Sequence, residues 1–253
     1  MISVEDALQR LLALATPLPV ELVALERAGG RVLAETVTAR RDQPPFAASA
    51  MDGYAIKRVE ADLHAQFKVV GEAVAGRRFA GRVGAGQAVR IFTGAPVPEG
   101  TDFVIIQEDV RPPGDLIAIT NPPGDGSNIR PAGADFRTGD PLSAPRRLTP
   151  RDVALLAAMN HATIPVTRHP EVAILATGDE LVMPGEEPGP DQIVASNSYG
   201  LKAMLEEMGC IVRLLPIARD TRASIETALE LAEGADLILT IGGASVGDHD
   251  LVA

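Results

Sequence analysis

The chain is predicted to be a multi-domain protein that combines α/β and β parts, and three observations predict it. From residue 171 onward, short aliphatic runs alternate with helix-patterned segments, giving βαβαβ, half of a doubly wound sheet. Residues 57–145 carry short β-type runs broken by Gly and Pro turns, with no helical period. The first forty residues open on an amphipathic helix and continue into mixed short strands, an α+β beginning.

In chain order, Val4, Ala7, Leu8, Leu11, Leu12 and Ala15 fall at helical spacing, and Ser3 with Asp6 resembles a capping box. Thr16-Pro17-Leu18-Pro19 ends that helix. A strand is expected near Leu22–Leu25, a turn at Gly29-Gly30, and extended chain over Val32–Ala39. Residues 41–56 read RDQPPFAASAMDGYAI; Pro44-Pro45 imposes extended backbone, and the rest reads as too polar and too small for a core strand. A plain connector is one reading of this segment. Strands are expected at Phe67–Val70, Ala88–Phe92, Phe103–Gln107 and Leu116–Thr120. Two loops of this region stand out. One is Thr93–Pro98, a hydroxyl with open backbone amides; the other is Asn128–Asp135, with an amide, a cation and a carboxylate. Both also fit ordinary turns.

Thr149-Pro150-Arg151-Asp152 starts a helix to about Met159. A strand at Thr163–Val166 and a boundary at His169-Pro170 follow. Strand Val172–Ala176 runs into Thr177-Gly178-Asp179-Glu180. Ser196-Asn197 caps a helix to Met208 with Leu201, Met204, Leu205 and Met208 on one face. Strand Ile211–Leu215 leads to Arg219-Asp220. Thr221 opens a helix whose inner face is Ile225, Leu229 and Ala232, and strand Leu237–Ile241 leads to Gly242-Gly243.

The totals exclude several classes. The chain has 253 residues, 46% of them hydrophobic and 3% aromatic, without Trp, so its cores are Leu, Val, Ile and Ala. A net charge of −11 argues against a nucleic-acid binder, which needs a basic face. The single cysteine, Cys210, excludes an intramolecular disulfide and fits a reducing compartment. No apolar run approaches the length of about eighteen residues that a span needs, and the N-terminus lacks a signal pattern. A soluble, cytoplasmic protein without nucleic-acid or membrane partners is expected. Walker A, G-x-G-x-x-G and serine-elbow patterns are absent.

In a parallel sheet the C-terminal strand ends open on one edge. Three loops therefore converge, Thr177–Glu180, Arg219-Asp220 and Gly242–Asp250, and bring Asp179, Glu180, Asp220, Asp248 and Asp250 to one rim. Like charges at 4 Å repel by about 1 kcal/mol in water and about 4 at an effective dielectric near 20. A cation, raised pKa values or capping hydrogen bonds must offset this. An oxygen-rich rim suits Mg²⁺ with a phosphate, and Gly242-Gly243 lets amides approach an anion. The candidate ligand-binding residues are Thr177, Gly178, Gly242, Gly243, Ser245 and Asp248. Asp179 and Asp220 also fit structural roles, as a turn cap and a helix N-cap, and the glycines fit a tight turn. His249 reads as a solvated neighbour and Cys210 as packing.

SAMDGYAI (49–56), IFTGAPVPEGTDFVIIQED (91–109), NIRPAGAD (128–135), LATGDEL (175–181) and TIGGASVGDHD (240–250) occur in one order. This series closely resembles the MoeA family, the molybdopterin molybdenumtransferases, which include the E domain of gephyrin. The resemblance implies an elongated N-terminal α+β module over 1–45 and 146–168, a small β domain inserted at 46–145, and an incomplete molybdopterin-binding α/β domain over 169–253. It implies insertion of molybdenum from molybdate into adenylylated molybdopterin with release of AMP, aided by Mg²⁺. It also implies a homodimer with a shared cleft, and as a further partner the adenylyltransferase that supplies the pterin-phosphate substrate. Carried over by position, the catalytic set is Asp52, Thr93, Asp135, Glu180, Asp220 and Asp250, with Glu180, Asp220 and Asp250 toward the metal. Ser245 and Gly242-Gly243 lie where the family binds pterin. Family members continue past residue 253, so a C-terminal truncation is expected, with most molybdate-binding residues beyond it. A non-catalytic scaffold or inactive fragment of the family, and a nucleotide hydrolase sharing the pterin-binding fold, are the alternatives. The latter's Gly-Gly loop runs differently from Ser245-Val246-Gly247-Asp248.

Overall fold

The computed structural model describes residues 2–111 and 113–242. In chain order the elements begin with α1 (Val4–Leu14), β1 (Val20–Ala24), β2 (Val32–Leu33), β3 (Val37–Thr38), β4 (Ala48–Ser49) and β5 (Gly53–Ile56). Next come β6 (Gln66–Ala73), β7 (Gln87–Ile91), β8 (Phe103–Ile106), β9 (Val110–Arg111), β10 (Leu116–Ile119), β11 (Ile129–Arg130), β12 (Pro141–Leu142) and β13 (Arg146–Arg147). The last are α2 (Pro150–Ala158), β14 (Thr163–Thr167), β15 (Glu171–Ala176), β16 (Leu181–Val182), β17 (Ile193–Val194), α3 (Asn197–Glu207), β18 (Ile211–Leu214), α4 (Arg222–Leu231) and β19 (Leu237–Ile241). The chain divides into two compact units. One holds Met1–Glu35, Pro145–Pro150 and Thr163–Ala253; the other holds Thr36–Ala144 and Arg151–Ala162.

The strand-rich unit is built on a six-stranded sheet, β8-β5-β7-β6-β10-β9. Its two faces bury separate clusters. Tyr54, Ile56, Phe67, Phe103, Ile105 and Ile117 line one; Ala55, Val89, Ile91 and Val104 line the other. Strand β5 departs from expectation. Every one of its residues is buried, although the segment reads as a polar connector. The reason lies in its small residues. A Cβ at Gly53 would fall 1.9 Å from the Ile105 carbonyl oxygen, so only glycine lets β5 and β8 approach. Smallness here marks close backbone packing rather than exposure.

In the other unit, β1-β14-β2-β13 form one sheet and β18-β15-β19 a second. The second is parallel throughout: β15 pairs β18 from Glu171↔Ile211 to Ile174↔Leu214, and β19 from Val172↔Leu237 to Ala176↔Ile241. The predicted βαβαβ is present, with a helix on each face. Val172, Ile174 and Val212 pack on α3 through Leu205 and Leu201; Leu175 and Ala218 pack on α4 through Ile225 and Ala228. Alternate β15 residues thus serve opposite layers, as a doubly wound sheet requires. The helix faces are narrower than their periodicity suggests. Met204, Met208 and Leu229 are exposed, and Ser198 and Ala228 take the inner positions. The Ser3 cap of α1 forms, donating to Asp6 Oδ2 at 2.7 Å and accepting from its amide at 3.0 Å, yet no α1 residue is buried.

The entry to β15 is fastened by Asp236. Its carboxylate takes a bidentate bond from Arg168 at 2.7 and 2.6 Å and the Glu171 amide at 2.8 Å. These bonds, Arg168's first, hold its pKa down at about 2 against an ordinary 3.8. A carboxyl depressed on folding stabilises the fold above its unfolded pKa, and that contribution is lost as pH falls from 3.8 toward 2. Asp236→Asn should therefore lower the urea midpoint at pH 7 and flatten its fall over that acid range. A midpoint with unchanged acid dependence would contradict this assignment. Among the described residues, no helix is long and apolar enough to cross a membrane.

Candidate functional site

At the C-terminal edge of the parallel sheet the expected convergence is realised as far as the described residues reach. The Thr177 amide donates to the Ile241 carbonyl at 2.9 Å, and Gly178 donates to Ala218 at 3.1 Å, so the sheet pairing runs into the loop itself. Thr177 bridges Ala218 in parallel register. Arg219 then joins two loops, its guanidinium donating to the Asp179 carbonyl at 2.8 Å, while the Asp220 amide donates to Asp179 Oδ1 at 3.3 Å. Asp179 thus takes the structural role open to it. Asp220 does not: the α4 cap is Thr221, which accepts from the Ser224 amide at 3.4 Å, leaving the Asp220 carboxylate at the exposed rim.

Gly242 meets this rim closely. It has φ +95°, and a Cβ there would lie 2.6 Å from the Thr177 carbonyl oxygen and 2.9 Å from its hydroxyl. Thr177 is 4% exposed, and its Oγ1 is buried without a hydrogen-bond partner among the described residues. Leaving a buried hydroxyl unpaired costs about 1–3 kcal/mol, so this atom is a ready contact for a ligand. The Glu180 carboxylate folds back over Gly178, and Glu180 itself is exposed. Gly243, Ser245, Asp248 and Asp250 lie outside the described residues. Among the described residues no three His, Cys, Asp or Glu come together as a metal site.

In the strand-rich unit the predicted residues fall on three loops laced to β4. Gly94 donates to the Ser49 carbonyl at 2.9 Å, Ser49 donates to Ala95 at 3.0 Å, and β11 pairs Ile129↔Ser49 and Arg130↔Ala48. Asp52 and Thr93 are brought into direct contact. Asp52 Oδ1 accepts from both the amide and the hydroxyl of Thr93, each at 2.8 Å. These two bonds, the backbone one foremost, with Arg90 nearby, hold the Asp52 carboxyl below its ordinary range. Asp135 is paired with Arg130 at 2.5 Å, and its amide donates to the Gln43 carbonyl at 2.8 Å. Residue types alone do not reveal Arg130 as the partner of Asp135, Arg90 as the charge near Asp52, or Arg219 as the link to the Asp179 backbone. Only for Arg130 was there a signal, since it stands five residues before Asp135 in a single loop.

Thr93→Val removes the hydroxyl donor and keeps the amide. The Asp52 carboxyl, followed by NMR titration, should then move up toward its ordinary 3.8 without reaching it. An unmoved titration would mean that the hydroxyl contact does not hold in solution.

Two family models match the chain. One, described as the MoeA N-terminal region (domain I and II), matches residues 2–160; the other, a "Probable molybdopterin binding domain", matches residues 173–253. A protein of Haemophilus influenzae named molybdopterin molybdenumtransferase is 37% identical over 99% of this chain and 63% of its own length. One of the same name from a Nostoc species is 38% identical over 92% of this chain and 55% of its own. The crystal structure of a molybdopterin biosynthesis MoeA protein from Pyrococcus horikoshii OT3 superposes with a TM-score of 0.88 at 34% identity, covering 96% of this chain and 66% of that one. The chain thus spans less than two thirds of the curated relatives it matches here. With one family model alone covering more than half of its residues, and the five motifs in the same order, the chain belongs to the MoeA family.

Proposed function

We propose that this chain acts in molybdenum cofactor biosynthesis as a molybdopterin molybdenumtransferase, inserting molybdenum from molybdate into adenylylated molybdopterin with release of AMP. The observation that carries the reading is the rim at the end of β15, where a buried Thr177 hydroxyl, unpartnered among the described residues, stands beside Gly242 and the adjoining loops carry the exposed residues Glu180 and Asp220. A phosphorylated pterin supplies both a partner for the hydroxyl and an anion to sit against Gly242 and Gly243. In the same reading Thr177, Gly178, Ser245 and Asp248 are further pterin-binding residues.

Glu180, Asp220 and Asp250 are hard oxygen donors of the kind that hold Mg²⁺, which when bound would neutralise charge on the substrate phosphates. Asp52, Thr93 and Asp135 orient the nucleotide end or the attacking water. Because Asp52 is kept ionised well below neutral pH, its part is that of a fixed hydrogen-bond acceptor rather than a proton acceptor. The four-part division at residues 45, 145 and 168 belongs to the same proposal, as do a cytoplasmic location and contact with the adenylyltransferase that supplies the substrate. Glu180→Ala or Asp220→Ala, assayed with molybdate and adenylylated molybdopterin against the unmutated protein, should lower insertion by about 100-fold or more with the fold intact. Undiminished turnover would refute the rim assignment.

A homodimer is part of this reading. Helix α1 buries none of its residues, and Val4, Leu8, Leu11, Leu12 and Leu14 are all exposed, as is Leu22 of β1. An apolar stripe of this extent is a protein-contact surface. Sedimentation at micromolar concentration should give a dimer that Leu8→Glu with Leu11→Glu dissociates; a monomeric unmutated protein would remove the shared cleft.

A further inference from the structure

A cleft of about 360 Å³ opens on the strand-rich unit, lined by Tyr54, Arg90, Gln107, Glu108, Arg111 and their neighbours. That volume is at the lower end of the range for small-molecule sites. Three features make it a built site. Tyr54 is 5% exposed, with its ring in the core, and its hydroxyl has no hydrogen-bond partner among the described residues. Arg90 is locked beside it: its guanidinium lies 4.9 Å from the Tyr54 ring and 4.6 Å from the Phe92 ring, and it donates to the Gly53 carbonyl at 3.0 Å and to Gln107 Oε1 at 2.6 Å. Arg111 brings a second guanidinium, exposed and without a hydrogen bond or ion pair among the described residues. Two arginines against the one carboxylate of Glu108 leave the lining positive on a chain of net charge −11. Among the described residues Glu108 Oε1 accepts only from Gln107 Nε2, at 3.2 Å, and keeps capacity for a ligand donor.

We propose that this cleft binds a phosphate monoester of mononucleotide size. Arg111 and the Tyr54 hydroxyl take the phosphate, and Glu108 accepts from a hydroxyl or amino group at the ligand's other end. Arg90, anchored by its own contacts, serves as the rigid wall that positions the phenol. The lining residues all belong to the strand-rich unit, so the site can be tested without molybdenum chemistry.

The test is calorimetric titration of the whole chain with AMP, adenosine and inorganic phosphate. AMP should bind saturably at millimolar concentration or below and more tightly than either of the other two. Arg111→Ala should weaken it by about 10-fold or more, as loss of a charge-assisted contact does, and Tyr54→Phe by about 2- to 10-fold. Tyr54→Phe keeps the ring in the core, so a cooperative melt at the unmutated temperature checks that the fold is intact. Asp220→Ala at the β15 rim reports separately on AMP held there as the product of the proposed reaction, whereas the cleft is read through Arg111→Ala and Tyr54→Phe. The proposal is overturned if AMP does not bind, if it binds no better than adenosine or inorganic phosphate, or if Asp220→Ala abolishes binding while Arg111→Ala and Tyr54→Phe do not. Failure of the cleft in this assay leaves the molybdenum-insertion assay, which reads Glu180 and Asp220, unaffected.

Discussion

Strand β15 is the constraint on which the candidate site depends. It is the middle strand of a parallel sheet, paired on both edges, and from Val172 to Ala176 it is wholly buried. Parallel pairing in register on both sides forces the three strands to end at one level, and the hydrogen bonds from Thr177 to Ile241 and Gly178 to Ala218 carry that order into the loop. A ligand rim needs backbone held in place, and here the sheet holds it. The Arg168–Asp236 pair, with Asp236 also bound to the amide of Glu171, fixes the opposite end of the same strand.

Acid-rich loops on an acidic chain pose an electrostatic problem, and the fold answers it in the same way in both units. Each critical carboxylate that is held accepts from a backbone amide, a guanidinium or both. Asp179 takes the Asp220 amide, Asp52 the Thr93 amide and hydroxyl, Asp135 the Arg130 guanidinium, and Asp236 the Glu171 amide with Arg168. In Asp52 and Asp236 such bonds hold the carboxyl below its ordinary range. Glu180 and Asp220 are left without comparable partners among the described residues, at the place where a cationic or donor-bearing ligand would be of most use. The acids thus differ by what their oxygens touch rather than by residue type.

Most of the fold was legible in the residues. Aliphatic runs ending in Gly or an acid identified β15, β18 and β19, and the helix start at Thr221 holds, whereas the cap expected at Ser196 makes no side-chain hydrogen bond because Ser196 is itself in helical conformation. Those signals are local: strand length, caps and turn residues act over a few positions. The burial of β5 was not legible, because Gly53 and Ala55 look like a flexible connector until β8 is seen pressed against them. Periodicity also overstated the apolar face of α3, since Met204 and Met208 share the helical spacing of Leu201 and Leu205 but lie beyond the width of sheet that covers it.

The sequence by itself determined the element order, the parallel βαβαβ, and the identity of the acids and the hydroxyl gathered in its loops. Hydrophobic pattern and backbone stereochemistry are enough for these, because each is a property of neighbours along the chain. Only the tertiary structure decided the pairings. Thr93 on Asp52, Arg90 on Tyr54 and Phe92, Arg219 across to Asp179, and the unpartnered hydroxyl of Thr177 all join or leave open atoms on separate loops. Their energies depend on distances of a few ångströms between segments remote in sequence, which no local pattern encodes.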